Sequence, residues 1–390
     1  MKLLLYCHDW SPSIGGVQTI TIILAGGIVE WSKAHPEQAI SLTLVANTPA
    51  GGMDDSCLPF RVVRQPNMWE LLSLIRSSDV IHLAGPSILP LALGWLLRKP
   101  TVIEHHGYQS ICPNGLLLIE PERSCCPGHF MASHYGKCIR CNSSGLGWTK
   151  SFRNLLLTFL RRWLSRRVAA NIMISNHLSA RLKLPRSSTI YYGIHDPPPV
   201  SMEDPLSVSN PFEIAYVGRL VPEKGLPLLL EAAGWLKEQK VAFKLSFIGG
   251  GSEQGRLEQM VQSLGLSGLV TFTGDLRGAD FGKAVSKIAV VVMPSVCEET
   301  AGLSAIEQMM RGRVVIASDI GGLGEVVDDA GLKFAPGDWQ GLAACIQKVM
   351  DDPSLVASLG SAARARAVQL FNRHSMIEAH ISLYREAACH

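Results

Sequence analysis

Residues 291–325 read VVMPSVCEETAGLSAIEQMMRGRVVIASDIGGLGE, and the fold can be built outward from them. The apolar run 289–293 stops at Pro294, which predicts a strand buried on both faces. Residues 303–310 then have helical composition, so Gly302 stands at a strand-loop-helix junction. The first amides of a helix lack partners inside it and its dipole is positive there. The backbone at Gly302, Leu303 and Ser304 is therefore a candidate seat for a phosphate. Glu299 and Glu307 flank that seat, eight residues apart. One carboxylate in the loop and one a turn into the helix suit the hydroxyls of a sugar and of a ribose. The plainer alternative is a solvated loop acid and a surface helix residue.

About eighty residues upstream, 213–217 reads as another strand and runs into GRLVPEKG, which puts Arg219 and Lys224 just beyond the strand end. Open parallel sheets bind ligands at those ends. Two cations beside an anion-seating helix start could clamp a diphosphate and stabilise it as it departs.

The motifs VGRLVPEKGLPLLLEA, FIGGGSEQGRLE, VTFTGDL, the Glu-x7-Glu segment and SDIGGLGEVV follow in the order and spacing of family 4 glycosyltransferases. SPSIGGVQTITIILA near the start and the later HHG are similar to that family too. The resemblance covers nearly the whole chain and is most specific in its second half. It implies an α/β fold of the GT-B type, two doubly wound Rossmann-like domains facing a cleft, and a retaining transferase that takes a sugar from a nucleotide donor. It implies that Arg219 and Lys224 bind the donor diphosphate, that Glu307 holds the ribose and Glu299 the donor sugar, and that Gly16 faces the donor phosphate. His106 would contact the transferred sugar, with His105 the rival, and base contacts would be largely backbone near residues 275–277. Two departures bear on the sugar pocket. The family's Phe two residues after the first Glu is Ala301 here, and its Asn before Gly between the domains is Tyr192.

Length and composition agree with two cores: 390 residues, 47% hydrophobic and 18% charged. Strand and helix patterns fill residues 1–195, a Pro- and Ser-rich stretch 196–211 reads as a linker, and a second series runs through 212–370. The resemblance implies that 371–390 is a helix crossing back to the first domain. A dinucleotide fold is disfavoured, because the third glycine of a GxGxxG starting at Gly249 would fall on Gln254. No Asp-x-Asp occurs, so a metal-bound diphosphate is not expected and no catalytic metal is called for. The implied chemistry is a front-face displacement that needs no dedicated carboxylate base.

Five of the ten cysteines, Cys112, Cys125, Cys126, Cys138 and Cys141, fall in an insert at 112–141. Cys138 and Cys141 form a CxxC, and four of the five could hold a structural zinc, with His129 and His134 as substitutes. Free or redox-active thiols and an iron-sulfur cluster are the other readings. MKLLLYC runs on to the glycine pair at 15–16 without a cleavage region, so a cytosolic setting is expected and disulfides are not.

The net charge is only +3, yet residues 123–195 hold twelve Lys and Arg and no Asp or Glu, leaving the rest of the chain acidic. Phe152, Leu155, Leu156, Phe159, Leu160, Trp163 and Leu164 repeat as one apolar stripe of a helix, flanked by Arg153, Arg161, Arg162 and Arg166. That helix either packs on a sheet or lies on anionic lipid at the inner face of a membrane. No run reaches the roughly 20 apolar residues of a membrane span. No nucleic-acid motif accompanies the basic stretch. The sequence thus points to a transferase acting on a glycan or lipid-linked acceptor in cell-surface polysaccharide assembly, with a UDP- or GDP-linked donor. The alternatives are an epimerase of the same fold and a non-enzymatic zinc- and lipid-binding module.

Overall fold

The computed structural model describes residues 1–10, 15–52, 54–120, 122–197 and 211–389. The stretch 11–14 and most of the expected linker, 198–210, lie outside the described residues. The chain divides into two compact units. The first comprises Met1–Pro121, Cys126–His195 and Phe371–His390, the second Glu122–Cys125 and Asp196–Leu370.

In the first unit, β1 (Lys2–Cys7), α1 (Gly16–Ala34), β2 (Ser41–Ala46), β3 (Arg61–Arg64), α2 (Met68–Ser77), β4 (Val80–Ala84), α3 (Ile88–Leu96) and β5 (Thr101–His105) alternate. The cysteine-rich insert follows, carrying two short strands, β6 (Leu118–Ile119) and β7 (Ser124–Cys125, grouped with the second unit), and then α4 (Tyr135–Leu146). The unit continues with α5 (Trp148–Ser165), β8 (Ala170–Met173), α6 (Asn176–Leu182) and β9 (Ser187–Thr189). Seven of these strands form a parallel sheet in the order β3-β2-β1-β4-β5-β8-β9. Its central strands are buried along almost their whole length, because helices cover both faces of a parallel sheet and leave no wet side.

The second unit alternates β10 (Phe212–Val217), α7 (Leu226–Glu238), β11 (Phe243–Ile248), α8 (Gln254–Ser263), β12 (Val270–Gly274), α9 (Gly278–Ser286) and β13 (Val290–Met293). It closes with α10 (Leu303–Met310), β14 (Val314–Ser318), α11 (Gly321–Val327), β15 (Leu332–Phe334), α12 (Trp339–Asp351) and α13 (Ser354–Leu370). Its six-stranded parallel sheet runs β12-β11-β10-β13-β14-β15. All four residues of β13 and all five of β14 are buried, as their unbroken apolar sequences predict.

The last helix, α14 (Arg373–Ala388), belongs to the first unit. Arg373 Nη1 donates to Glu30 of α1 at 2.7 Å, and the buried Tyr384 hydroxyl lies 2.8 Å from His82 Nδ1 in β4. Asn372 caps α14, its side-chain oxygen accepting from the His374 and Ser375 amides.

The apolar stripe expected along α5 is divided by the fold. Leu155 and Leu164 are buried, whereas Phe152, Leu156, Phe159, Leu160 and Trp163 are exposed. The buried side of α5 is filled largely by Ser151, Thr158 and Ser165.

Candidate functional site

The residues singled out in the second half of the sequence meet at the carboxyl ends of β10 and β13, two neighbouring strands. Gly302 caps α10 with φ +77°, a conformation that costs a residue bearing a Cβ. The Ala305 and Ile306 amides both donate to the Gly302 carbonyl, at 2.9 and 3.2 Å. The amides of Leu303 and Ser304 lie before the first bonds of the helical ladder and point out of its start. A Cβ placed on Gly218, at the end of β10, would lie 3.6 Å from Ser304 Oγ, which puts the GRLVPEKG loop directly beside the start of α10.

Within that loop Lys224 ends a short 3-10 turn, and its Nζ donates to Glu299 Oε1 at 2.8 Å. Ser295 Oγ donates to the same oxygen. Burial alone would raise the Glu299 carboxyl. The Lys224 ammonium, through charge and hydrogen bond, with Ser295 and then Arg219, instead holds it below the usual carboxylate range. Arg219 is largely exposed; its guanidinium lies 3.5 Å from Glu223, and its carbonyl accepts from the Tyr216 hydroxyl at 2.8 Å. Glu307 lies in the second turn of α10, where burial pushes its carboxyl up and Arg311 one turn on opposes the shift. A raised carboxyl of this kind gains from hydroxyl donors. The unit therefore brings together a buried anion held by Lys224, an exposed guanidinium, open helix amides and a second carboxylate: a surface suited to a diphosphate with sugar hydroxyls on either side.

The glycines after β11 serve packing. A Cβ at Gly249 would meet the Gly218 carbonyl oxygen at 2.1 Å, and one at Gly251 the Leu220 oxygen at 2.2 Å, so the GGG turn lies directly on the GRL loop. Ala301, the departure beside Glu299, is buried, and Gly322 N donates to the Glu299 carbonyl at 2.6 Å.

In the first unit Gly16 opens α1. The His106 side chain is largely enclosed, with 4% of its surface left open. Its Nδ1 lies 2.8 Å from the Tyr192 hydroxyl, the two rings stack, and its Nε2 is 3.7 Å from Glu104 Oε2. Tyr192, the second departure, is thus the partner that orients His106. His105 is fully buried, and its Nε2 lies 2.9 Å from Asn171 Oδ1. Sequence reasoning missed the buried group beneath them, where Glu104 Oε2 also faces His82 Nε2 at 3.2 Å and His380 Nε2 at 3.7 Å. It missed Ser295 as well. Its signal was a hydroxyl directly after the strand-ending Pro294, four residues before Glu299.

The five insert cysteines separate. Cys138 is buried, and its thiol is pushed up to about 12, first by burial and then by the nearby Cys112, Cys126 and Cys141. Cys126 Sγ is 3.6 Å from His129 Nδ1, and Cys141 Sγ lies 3.5 Å from the Leu118 carbonyl. Cys125 belongs to the second unit, where its Sγ is 3.8 Å from Glu298 Oε1 and the neighbouring Arg123 pairs with Glu253 at 3.1 Å.

Residues 200–366 match the family described as Glycosyl transferases group 1. The chain is 33% identical over 163 residues to a 2-deoxystreptamine glucosyltransferase of Streptomyces kanamyceticus, covering 41% of this chain and 42% of that protein. It thus spans less than half the length of such curated relatives. Over 98% of both chains the fold is similar to the HepE protein of Anabaena solved with UDP and glucose, with TM-score 0.70 and 20% identity. It is also similar to a sucrose-phosphate synthase from Thermosynechococcus elongatus, with TM-score 0.74, 21% identity and 98% of both chains covered. These likenesses establish the GT-B fold.

Proposed function

We propose that the protein, a GT-B chain whose residues 200–366 match the family described as Glycosyl transferases group 1, transfers a sugar from a nucleotide-sugar donor to a glycan or lipid-linked acceptor. The observation that carries this reading is the Lys224–Glu299 pair at the open start of α10, with Arg219 beside it. In this reading the donor diphosphate rests on the Leu303 and Ser304 amides and between Lys224 and Arg219. Glu299 accepts from a hydroxyl of the donor sugar, and Glu307 from the ribose. UDP and GDP are the bases we favour; the Anabaena protein was solved with UDP-glucose.

The chemistry we assign is retaining. The bond between the anomeric carbon and the diphosphate oxygen breaks, and the acceptor hydroxyl attacks from the face the diphosphate leaves. The acceptor proton passes to the departing phosphate oxygen. Lys224, Arg219 and the helix amides stabilise the negative charge that grows on that oxygen, so fixed cations do the work a divalent ion does elsewhere. His106, oriented by Tyr192, is assigned a contact with the transferred sugar. The setting we infer is cell-surface polysaccharide assembly at the cytoplasmic face of a membrane.

We also propose a structural zinc in the insert, for which Cys112, Cys126, Cys138 and Cys141 would have to draw together, since as placed no three of their sulfurs converge on one point. A cation among four thiols would reverse the mutual repulsion that now opposes ionisation of Cys138. Such a site would fix a segment with little regular structure of its own.

The test is to incubate the protein with the donor it turns over and follow the first-formed sugar product by proton NMR. The reading predicts that the anomer of the donor appears first. Initial appearance of the opposite anomer would refute the retaining assignment, and no turnover of any UDP- or GDP-sugar would refute the transferase reading.

A further inference from the structure

Helix α5 reverses the usual distribution of a surface helix. Its inward side carries Ser151, Thr158 and Ser165, and the Ser151 and Thr158 hydroxyls donate back to the carbonyls of Gly147 and Asn154 at 2.7 and 2.8 Å. Only Leu155 and Leu164 supply buried apolar side chains, keeping 4% and 2% of their surface in water. The outward side holds Trp148, Phe152, Leu156, Leu160 and Trp163, which keep between 38% and 65% of theirs. The patch crosses to α3, where Trp95 and Leu96 are exposed and the Trp95 ring meets Trp163 edge-on at 5.1 Å. An apolar surface spread over two neighbouring helices is uncommon on a free monomer and marks a place of contact.

The rim of this patch is basic. Lys150, Arg153, Arg166 and Arg167 on or just after α5, and Arg98 just after α3, are all exposed, and the Arg167 guanidinium sits 3.8 Å above the Trp163 ring. No Asp or Glu occurs between residues 80 and 103 or between 123 and 195. A second copy of the chain docked face to face would set these cations against one another. Nucleic acid would match the arginines and leave the phenylalanine and leucines without partners. An anionic bilayer supplies acyl chain for Phe152 and Leu156, phosphate for the arginines, and an interfacial layer for the tryptophans. Among the described residues no helix is long and apolar enough to cross a membrane, so the contact this face can make is in the plane of the surface.

We propose that the α3–α5 face of the first unit is a docking surface for an anionic lipid bilayer. The proposal rests on this face alone and stands independently of the transferase reading.

The experiment is flotation of the full chain with vesicles of phosphatidylcholine alone or mixed with 30% phosphatidylglycerol, at low and high salt. The wild type is expected to float with the mixed vesicles at low salt, at least tenfold more than with neutral ones, and to be released by high salt. Phe152→Ser with Leu156→Ser, both exposed and outside the candidate site, should reduce flotation at least tenfold without lowering Tm. Arg153→Glu with Arg166→Glu should do the same on mixed vesicles. Absence of flotation with mixed vesicles would overturn the proposal, as would equal flotation of the serine variant. A dimer seen by light scattering and dispersed by the serine substitutions would overturn it in favour of self-association.

Discussion

Lys224 Nζ lies 2.8 Å from Glu299 Oε1, joining the loop after β10 to the loop after β13 at the start of α10. The pair keeps a buried carboxylate ionised and fixes an ammonium where a diphosphate would rest. Lys224→Ala removes both effects, and donor turnover should fall by at least about a hundredfold, the scale expected on losing a group that stabilises a leaving anion. Steady-state rates on the preferred donor check this. Near-normal activity would remove Lys224 from the proposed clamp.

Gly302 carries φ +77°, and a Cβ there would approach Leu323 Cδ1 to 2.8 Å. Gly302→Ala should cost about 1–3 kcal/mol, most of it backbone strain because the leucine tip can give way. Urea unfolding of the variant measures it. A midpoint equal to wild type would show that the loop adopts another conformation.

Acid should weaken the first unit. The His105 imidazole is pushed down to about 4 by burial, with the Asn171 bond opposing the shift, against about 6.5 in an unfolded chain. Below about 6.5 the unfolded state gains a proton that the folded state refuses. The stability is therefore fully present above that pH and declines as pH falls toward 4, by on the order of 3 kcal/mol in all. His82 and His106, also lowered chiefly by burial, act in the same direction. His105→Gln retains a donor for Asn171 and cannot titrate. Its Tm should drop less than that of the wild type between pH 7.5 and 5, and an unchanged slope would mean that His105 does not carry the dependence.

The four-thiol assignment predicts about one zinc per chain by elemental analysis. Cys138→Ser should lose that zinc and lower Tm. Cys125→Ser should keep it, because Cys125 groups with the second unit beside Glu298. A metal-free wild type, or zinc retained in Cys138→Ser, would contradict the assignment.

The second unit was the more legible half. Its strands are unbroken apolar runs, and its site residues lie within a few positions of strand ends, so spacing along the chain already approximates spacing in the fold. Lys224 meeting Glu299 was less accessible, since it depends on β10 and β13 lying side by side. In the first unit the resemblance singled out His106 but gave no sign that Glu104, His82 and His380 close around one another, which takes two strands and the last helix of the chain. Helix α5 shows the limit of periodicity. The stripe from Phe152 to Leu164 was visible, but the side of α5 that is buried carries Ser151, Thr158 and Ser165, small polar residues that an apolar periodicity does not single out.

The most direct test of the central claim is donor binding by thermal shift, with UDP-, GDP-, ADP- and dTDP-sugars presented in EDTA to wild type and Lys224→Ala. A ligand that binds the folded state raises Tm. The account predicts that a UDP- or GDP-sugar stabilises the wild type in EDTA and leaves Lys224→Ala unmoved. Stabilisation that requires a divalent cation, or that is equal in both proteins, would contradict it.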